Sequence, residues 1–166
     1  MKSFLISAFC TAALAALAAP SVHAHGGGRE HKSPSAIAGD DSSTAFGRPG
    51  DVKAASRTVT IRMSDAMRFT PDRLDVKRGE TIRFVIRNDG RLLHELVLGS
   101  EKSLEEHAAL MRRFPGMEHD EPYMVHVASG KTGELVWTFD KSGQVGFACL
   151  IPGHFEAGMK GTVIAR

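Results

Sequence analysis

Apolar and polar residues alternate over most of the chain beyond residue 56, and the alternation falls into short runs separated by turn residues. Residues 58–63 read as a strand, and residues 74–77 as another after the break at Pro71. Arg78-Gly79 makes a turn, and residues 81–87 then place Ile82, Phe84 and Ile86 on one face before Asn88-Asp89-Gly90 closes the run. Residues 94–98 form the next strand. Between residues 100 and 114 the apolar spacing changes from two to about three and a half. Leu104, Ala108 and Met111 recur on one side there, predicting one short helix ended by Pro115-Gly116. Turns at 129–133 and 140–143 separate further strands at 134–139, 144–149 and 161–165. Many short strands with one helical insertion predict an all-β fold, an antiparallel Greek-key β-sandwich, with no internal repeat.

The first 55 residues do not follow this pattern. Residues 1–24 carry Lys2, an apolar run from Phe4 to Ala19 and a small-residue end at Ala24, the three parts of a secretory signal peptide with cleavage expected after Ala24. The run is shorter than the roughly 20 residues a membrane span needs. Cys10 lies inside it without a small-residue lipobox, which argues against a lipoprotein anchor. Residues 25–55 are rich in Gly, Ser, Pro and Asp and contain His25 and His31, but offer only Ile37 and Phe46 as sizeable hydrophobes. They are expected to form a disordered or loosely attached arm. Residues 56–166 make the folded domain.

Without its first 24 residues the chain has 142 residues, enough for one hydrophobic core, and 20 Lys+Arg against 19 Asp+Glu, since only Lys2 leaves the total of 21. Such a balance gives no electrostatic case for nucleic acid or an acidic lipid surface, and no membrane insertion is expected after signal cleavage. Cys149 then stands alone in an oxidising compartment, the periplasm, where a single thiol must be buried, paired between chains or held by a metal.

The residues after Cys149 favour the metal. Cys149, His154 and Met159 follow one another at intervals of five, with Pro152-Gly153 and Gly158 forcing a tight loop. A thiolate, an imidazole and a thioether on one loop suit copper cycling between Cu(I) and Cu(II). One more imidazole would complete a His2Cys plane with a weak axial Met, and His94, opening a strand, is the best candidate. Structural zinc takes four Cys or His ligands and rarely Met, so copper ranks above it.

Cys149-Leu-Ile-Pro-Gly-His154 followed by Met159-Lys-Gly-Thr resembles the ligand loop of azurin with one residue added before the Met, and its spacing is similar to that of rusticyanin. Together with His94 this resembles the cupredoxins, over about residues 57–166. The resemblance implies an eight-stranded or nearly eight-stranded Greek-key sandwich carrying one type 1 copper near one end. Met67-Arg-Phe-Thr-Pro71, Gly79-Glu-Thr, His94-Glu-Leu-Val-Leu-Gly99, Glu106-His-Ala-Ala-Leu-Met111 and Pro115-Gly-Met-Glu-His119 are similar to the periplasmic copper-tolerance cupredoxins of the CopI type. Glu95 departs from the small polar residue that follows the first ligand in many electron carriers, which puts the usual loop-bracing hydrogen bond in doubt.

His107, Met111, Met117 and His119 form a second candidate cluster around the end of the helix. It reads either as an accessory soft-metal site, additional copper included, or as a core methionine beside solvated histidines. After cleavage His25 would be N-terminal, and with His31 it could chelate Cu(II) or serve only as a linker. Three classes of function remain: a copper-tolerance protein, a one-electron shuttle between periplasmic redox partners, and a copper enzyme. A ligand set of two His, one Cys and one Met offers no open position and the chain lacks the further His pairs of multicopper oxidases, so an enzyme is not expected, with oxidation of cuprous ions the one reaction left open. The surplus Met and His favour tolerance, with copper ions and redox or copper-transfer proteins as partners. An apolar rim from Leu150, Ile151, Pro152 and Phe155 keeps the shuttle as the alternative.

Overall fold

The structure, a computed structural model, describes residues 44–117 and 119–166. The proposed signal segment, His25 and His31 lie outside the described residues. In chain order the elements are β1 (Arg48–Pro49), β2 (Arg57–Ser64), β3 (Arg68–Thr70), β4 (Arg73–Val76), β5 (Glu80–Asn88), β6 (His94–Gly99), α1 (Glu101–Arg113), β7 (Met124–Val127), β8 (Thr132–Phe139), β9 (Gly143–Ala148) and β10 (Lys160–Ala165). They form two five-stranded sheets, ordered β1-β8-β5-β2-β3 and β4-β10-β9-β6-β7. Every predicted strand and the helix are present; β1, β3 and β7 are additional. Phe69 is the only apolar residue of β3, so alternation could not announce that strand.

The sheets are mixed rather than purely antiparallel. β2 turns back into β3, the chain then crosses to the other sheet as β4, and it returns as β5 alongside β2, so β2 and β5 run parallel. β10 pairs with β4 in the same sense. Period-two alternation reports which face is buried and carries no information on strand direction.

Alternation places the core. Ile82, Phe84 and Ile86 of β5 point inward and pack with Ile61, Met63, Trp137, Phe139 and Phe147. β6 is different, because all six of its residues are buried. Its inner face gives Leu96 and Leu98 to the core between the sheets, while α1 covers the outer face and packs Leu104, Ala108 and Met111 against Val97, Ala148 and Leu150. Ser100 caps the helix, its Oγ accepting from the Ser103 N–H at 3.1 Å.

The expectation of a loose arm through residue 55 needs correction for residues 44–55. Phe46 stacks on Trp137 with ring centroids 5.6 Å apart, and the Trp137 indole N–H donates to the Phe46 carbonyl at 3.1 Å. The close approach requires Gly47, since a Cβ there would lie 2.4 Å from both Trp137 Nε1 and the Thr138 carbonyl. Arg48 and Pro49 then pair with β8 at the sheet edge, where proline is tolerated. A single aromatic ring anchors a segment whose composition otherwise reads as linker.

Candidate metal centre

The ligand loop leaves the sheet at Cys149 and rejoins it at Lys160. Its ends are tied together by the Cys149 N–H donating to the Met159 carbonyl at 3.1 Å, and the Met159 N–H donates to the His154 carbonyl at 3.0 Å. Gly153 and Gly158, both at φ +90°, supply the left-handed turns that fold eleven residues back on themselves. The loop therefore gathers Cys149, His154 and Met159 by local geometry, and Cys149 and Met159 are fully buried in one cluster.

His94 is also fully buried, at the first position of β6. Its Nε2 lies 3.1 Å from Asp65 Oδ1. The Asp65 carboxyl is held below its usual range, chiefly by the Arg91 backbone N–H and also by those of Leu92 and the His94 ring, so it acts as an acceptor and fixes the ring proton on Nε2. Nδ1 of His94 is thereby left as a lone pair, buried and without a hydrogen-bond partner. Cys149 Sγ and His154 Nδ1 are 3.3 Å apart, and one donor atom from each of His94, Cys149 and His154 falls within 4.8 Å of the others.

This arrangement fits a soft or borderline cation. An unsatisfied buried nitrogen costs about 1–3 kcal/mol, which a metal at that position would remove. Burial pushes the His154 imidazole below its ordinary value, with the neighbouring His94 adding to the effect, so its lone pair is free near neutral pH. Burial pushes the Cys149 thiol up to about 12, partly opposed by the backbone N–H groups of Glu95 and Ile151. The sulfur therefore keeps its proton until a cation replaces it.

Glu95 does not lose the loop brace. Its carboxylate is 1% exposed, and Oε1 accepts the Leu150 N–H at 2.8 Å, so the residue after the first ligand still ties its strand to the ligand loop. The expected apolar rim is partly redrawn: Leu150 is buried beneath α1, whereas Leu92 and Leu93, immediately before His94, are 46% and 49% exposed.

The second cluster is divided by the fold. The rings of His107 on α1 and His119 in the following loop come within 4.6 Å of each other. Met111 is buried with Val97, Leu104 and Leu150, and Met117 is exposed. His126, which the sequence reading missed, sits opposite Glu95 in the β6–β7 pairing, with its ring 6.4 Å from that of His119. The polar residue between Val125 and Val127 was the available signal, but it had meaning only once β7 was known to flank β6.

A two-sheet sandwich with a buried His-Cys-His group and a thioether at one end defines a cupredoxin. The sequence profile described as copper binding proteins, plastocyanin/azurin family, matches residues 55–166. The chain is 52% identical over 157 residues to the copper-resistant cuproprotein CopI of Rubrivivax gelatinosus, covering 95% of this chain and 93% of that protein. It is 37% identical over 151 residues to the CopI of Pseudomonas aeruginosa, covering 74% and 83% of the two chains. Among solved structures it resembles reduced auracyanin from Roseiflexus castenholzii, with a TM-score of 0.58 at 20% identity over 68% of this chain and 98% of that one. Auracyanin B gives a TM-score of 0.59 at 19% identity, over 75% and 96%. The chain belongs to the copper-binding plastocyanin/azurin family and, within it, to the CopI-type cupredoxins.

Proposed function

We propose that the protein is exported to the periplasm, binds one copper ion at a type 1 site made by His94, Cys149, His154 and Met159, and protects the cell against copper. The bare, buried Nδ1 of His94 facing the Cys149 thiol and the His154 ring carries this reading. Bound copper would supply a one-electron couple. The protein's part would be to hold two imidazoles and a thiolate together, with His94 and Cys149 fully buried, Asp65 orienting His94 and Glu95 holding the ligand loop. The copper-resistant relatives support the biological role. No helix among the described residues is long and apolar enough to cross a membrane.

Accessory binding at His107, Met111, Met117 and His119 belongs to the same proposal. Its two imidazoles are in ring contact while its thioethers lie in a packed core and at the surface, so the imidazoles carry it. Chelation by His25 and His31 is proposed from their chemistry alone. A second reading, electron transfer between periplasmic redox proteins, is favoured by the exposed Leu92 and Leu93 beside His94. Growth of a deletion strain across a copper series, complemented with the wild type or with Cys149→Ser, separates the two. Copper sensitivity rescued only by the wild type supports tolerance; unaltered copper growth with impaired respiration supports the shuttle.

A further inference from the structure

Helix α1 is covered on one side only. At roughly 100° per residue, Leu104, Ala108 and Met111 fall within an arc of roughly 60°, and this is the side packed against Val97, Ala148 and Leu150. Opposite them stand Lys102, Glu106, Ala109, Leu110 and Arg113, all exposed except the half-buried Ala109. Leu110 is 41% exposed in the middle of that face, and Phe114 and Met117, at 51% and 38%, extend the apolar surface past the last turn. The backbone keeps the three together, since the Phe114 N–H donates to the Leu110 carbonyl and the Met117 N–H to the Phe114 carbonyl, both at 3.0 Å. Three of the six large hydrophobic residues exposed among the described residues thus gather at one helix end, which marks an interaction surface rather than the usual scatter of single apolar side chains.

We propose that this face docks a second copy of the same chain, α1 against α1, antiparallel about a two-fold axis that passes between Ala109 and Leu110. The charges along the helix carry the proposal. Glu101, Glu105 and Glu106 lie in its N-terminal half, and Arg112 and Arg113 close its C-terminal end. The two-fold axis sets Glu106 of each copy against Arg113 of the other, so one pairing makes the same opposite-charge contact twice. It also sets Leu110 of each copy on Ala109 of the other, where the small side chain lets the helix axes approach. A parallel pairing would instead bring glutamate onto glutamate and arginine onto arginine. The helix dipoles likewise oppose one another only in the antiparallel sense.

The two residues that make this contact are held for it. Arg112, on the flank, is engaged by Glu156 of the ligand loop. Arg113 instead lays its guanidinium over the Phe114 ring, 5.7 Å from the centroid, at the outer pole of the helix. Glu106 is engaged only by Lys102 at 3.8 Å, with both side chains mostly in solvent, and such a pair yields readily to a better one. An anionic membrane surface fits the face less well. It would attract the two arginines but repel Glu105 and Glu106 on the same helix, whereas the two-fold pairing turns Glu106 into a partner.

The size of the face sets the strength. A 13-residue helix is about 20 Å long and about 10 Å wide, so even with Phe114 and Met117 added the contact stays below the roughly 800 Å² per partner of a standard interface. The dimer is therefore a reversible one, populated as concentration rises.

Sedimentation equilibrium of the copper-loaded protein, with free metal dialysed away, tests this. The average mass should climb from one chain toward two with concentration, and added salt should oppose the climb because the charges lie at the surface. E106R and R113E each place like charges across the axis twice, and each should weaken the dimer about 10-fold or more at an unchanged melting temperature. Mixing the two variants makes both contacts opposite in sign again, so the mixture should dimerise as the wild type does, and so should the double exchange E106R/R113E. A wild type that stays monomeric at about millimolar concentration overturns the proposal. A dimer indifferent to both single changes overturns it too, by placing the contact on another face. Weakening in each variant without recovery in the mixture overturns the antiparallel register. Monomers that bind vesicles of anionic phospholipid through Arg113 and never self-associate would make the face a membrane contact, which also overturns it.

Discussion

His94 and Glu95 are neighbours in the chain, yet they belong to regions in different states of assembly. On the inner side, His94, Cys149 and His154 already stand within 4.8 Å, because three of the four ligands share one glycine-bent loop and the fourth is locked by Asp65. On the outer side, His107, His119 and His126 come from a helix, a loop and an edge strand, and their rings stand 4.6 and 6.4 Å apart. A loop can fix its own donors at little entropic cost, whereas donors on separate elements converge only as well as the packing between those elements allows. The inner group is thus built for rigid ligation and the outer one for adjustment.

The largest expected effect removes the inner site's anionic ligand. Cys149→Ser loaded with Cu(II) should lack the intense visible band altogether, and a band that survived would remove Cys149 from the site. The same residue gives a pH test on the metal-free protein. Its thiol is raised from 9.0 to about 12 on folding, so it contributes stability that is fully present below pH 9.0 and is lost as pH rises toward about 12. Melting temperature should therefore fall more steeply over that range in the metal-free wild type than in Cys149→Ser. Parallel falls would show that the thiol is not buried as described.

A smaller effect is expected one step out from the ligands. Asp65→Asn keeps the size of the side chain but weakens the acceptor that fixes the proton of His94 on Nε2. Copper affinity should drop about 10- to 100-fold with the band retained. No change in affinity would mean that His94 holds its tautomer unaided, and the rigidity ascribed to the inner site would have to come from packing alone.

This contrast also explains what the sequence could show. Cys149, His154 and Met159 were legible because their spacing is itself the loop, and the helix was legible because Leu104, Ala108 and Met111 repeat at its period. The Glu95 brace was not, since its partner is the backbone N–H of Leu150, 55 positions away, and a backbone donor leaves no mark in sequence. His126 became meaningful only through the β6–β7 register. Residues 44–55 were misread because one ring, Phe46, outweighs a linker-like composition once Trp137 and Tyr123 receive it. Phe46→Ala should accordingly cost about 2 kcal/mol in chemical denaturation, in line with the partial burial of one aromatic side chain. A chain beginning at Ser56 should lose at least as much relative to one beginning at Thr44. Equal midpoints for these two chains would restore the loose-arm description for residues 44–55.

The smallest effect separates packing from ligation on the outer side. Met111 faces Val97, Leu104 and Leu150 beneath the helix, and only 5% of it is exposed. Leucine has nearly the same volume and no sulfur, so Met111→Leu exchanges the thioether while preserving the apolar contacts. If the residue is core, the variant should unfold within about 1.5 kcal/mol of the wild type, bind the same number of copper equivalents and keep its affinity for cuprous ions. A lower cuprous stoichiometry with unchanged stability would place the thioether in the accessory site. The outer region would then be a soft-metal site reaching into the core rather than a set of imidazoles gathered at its surface.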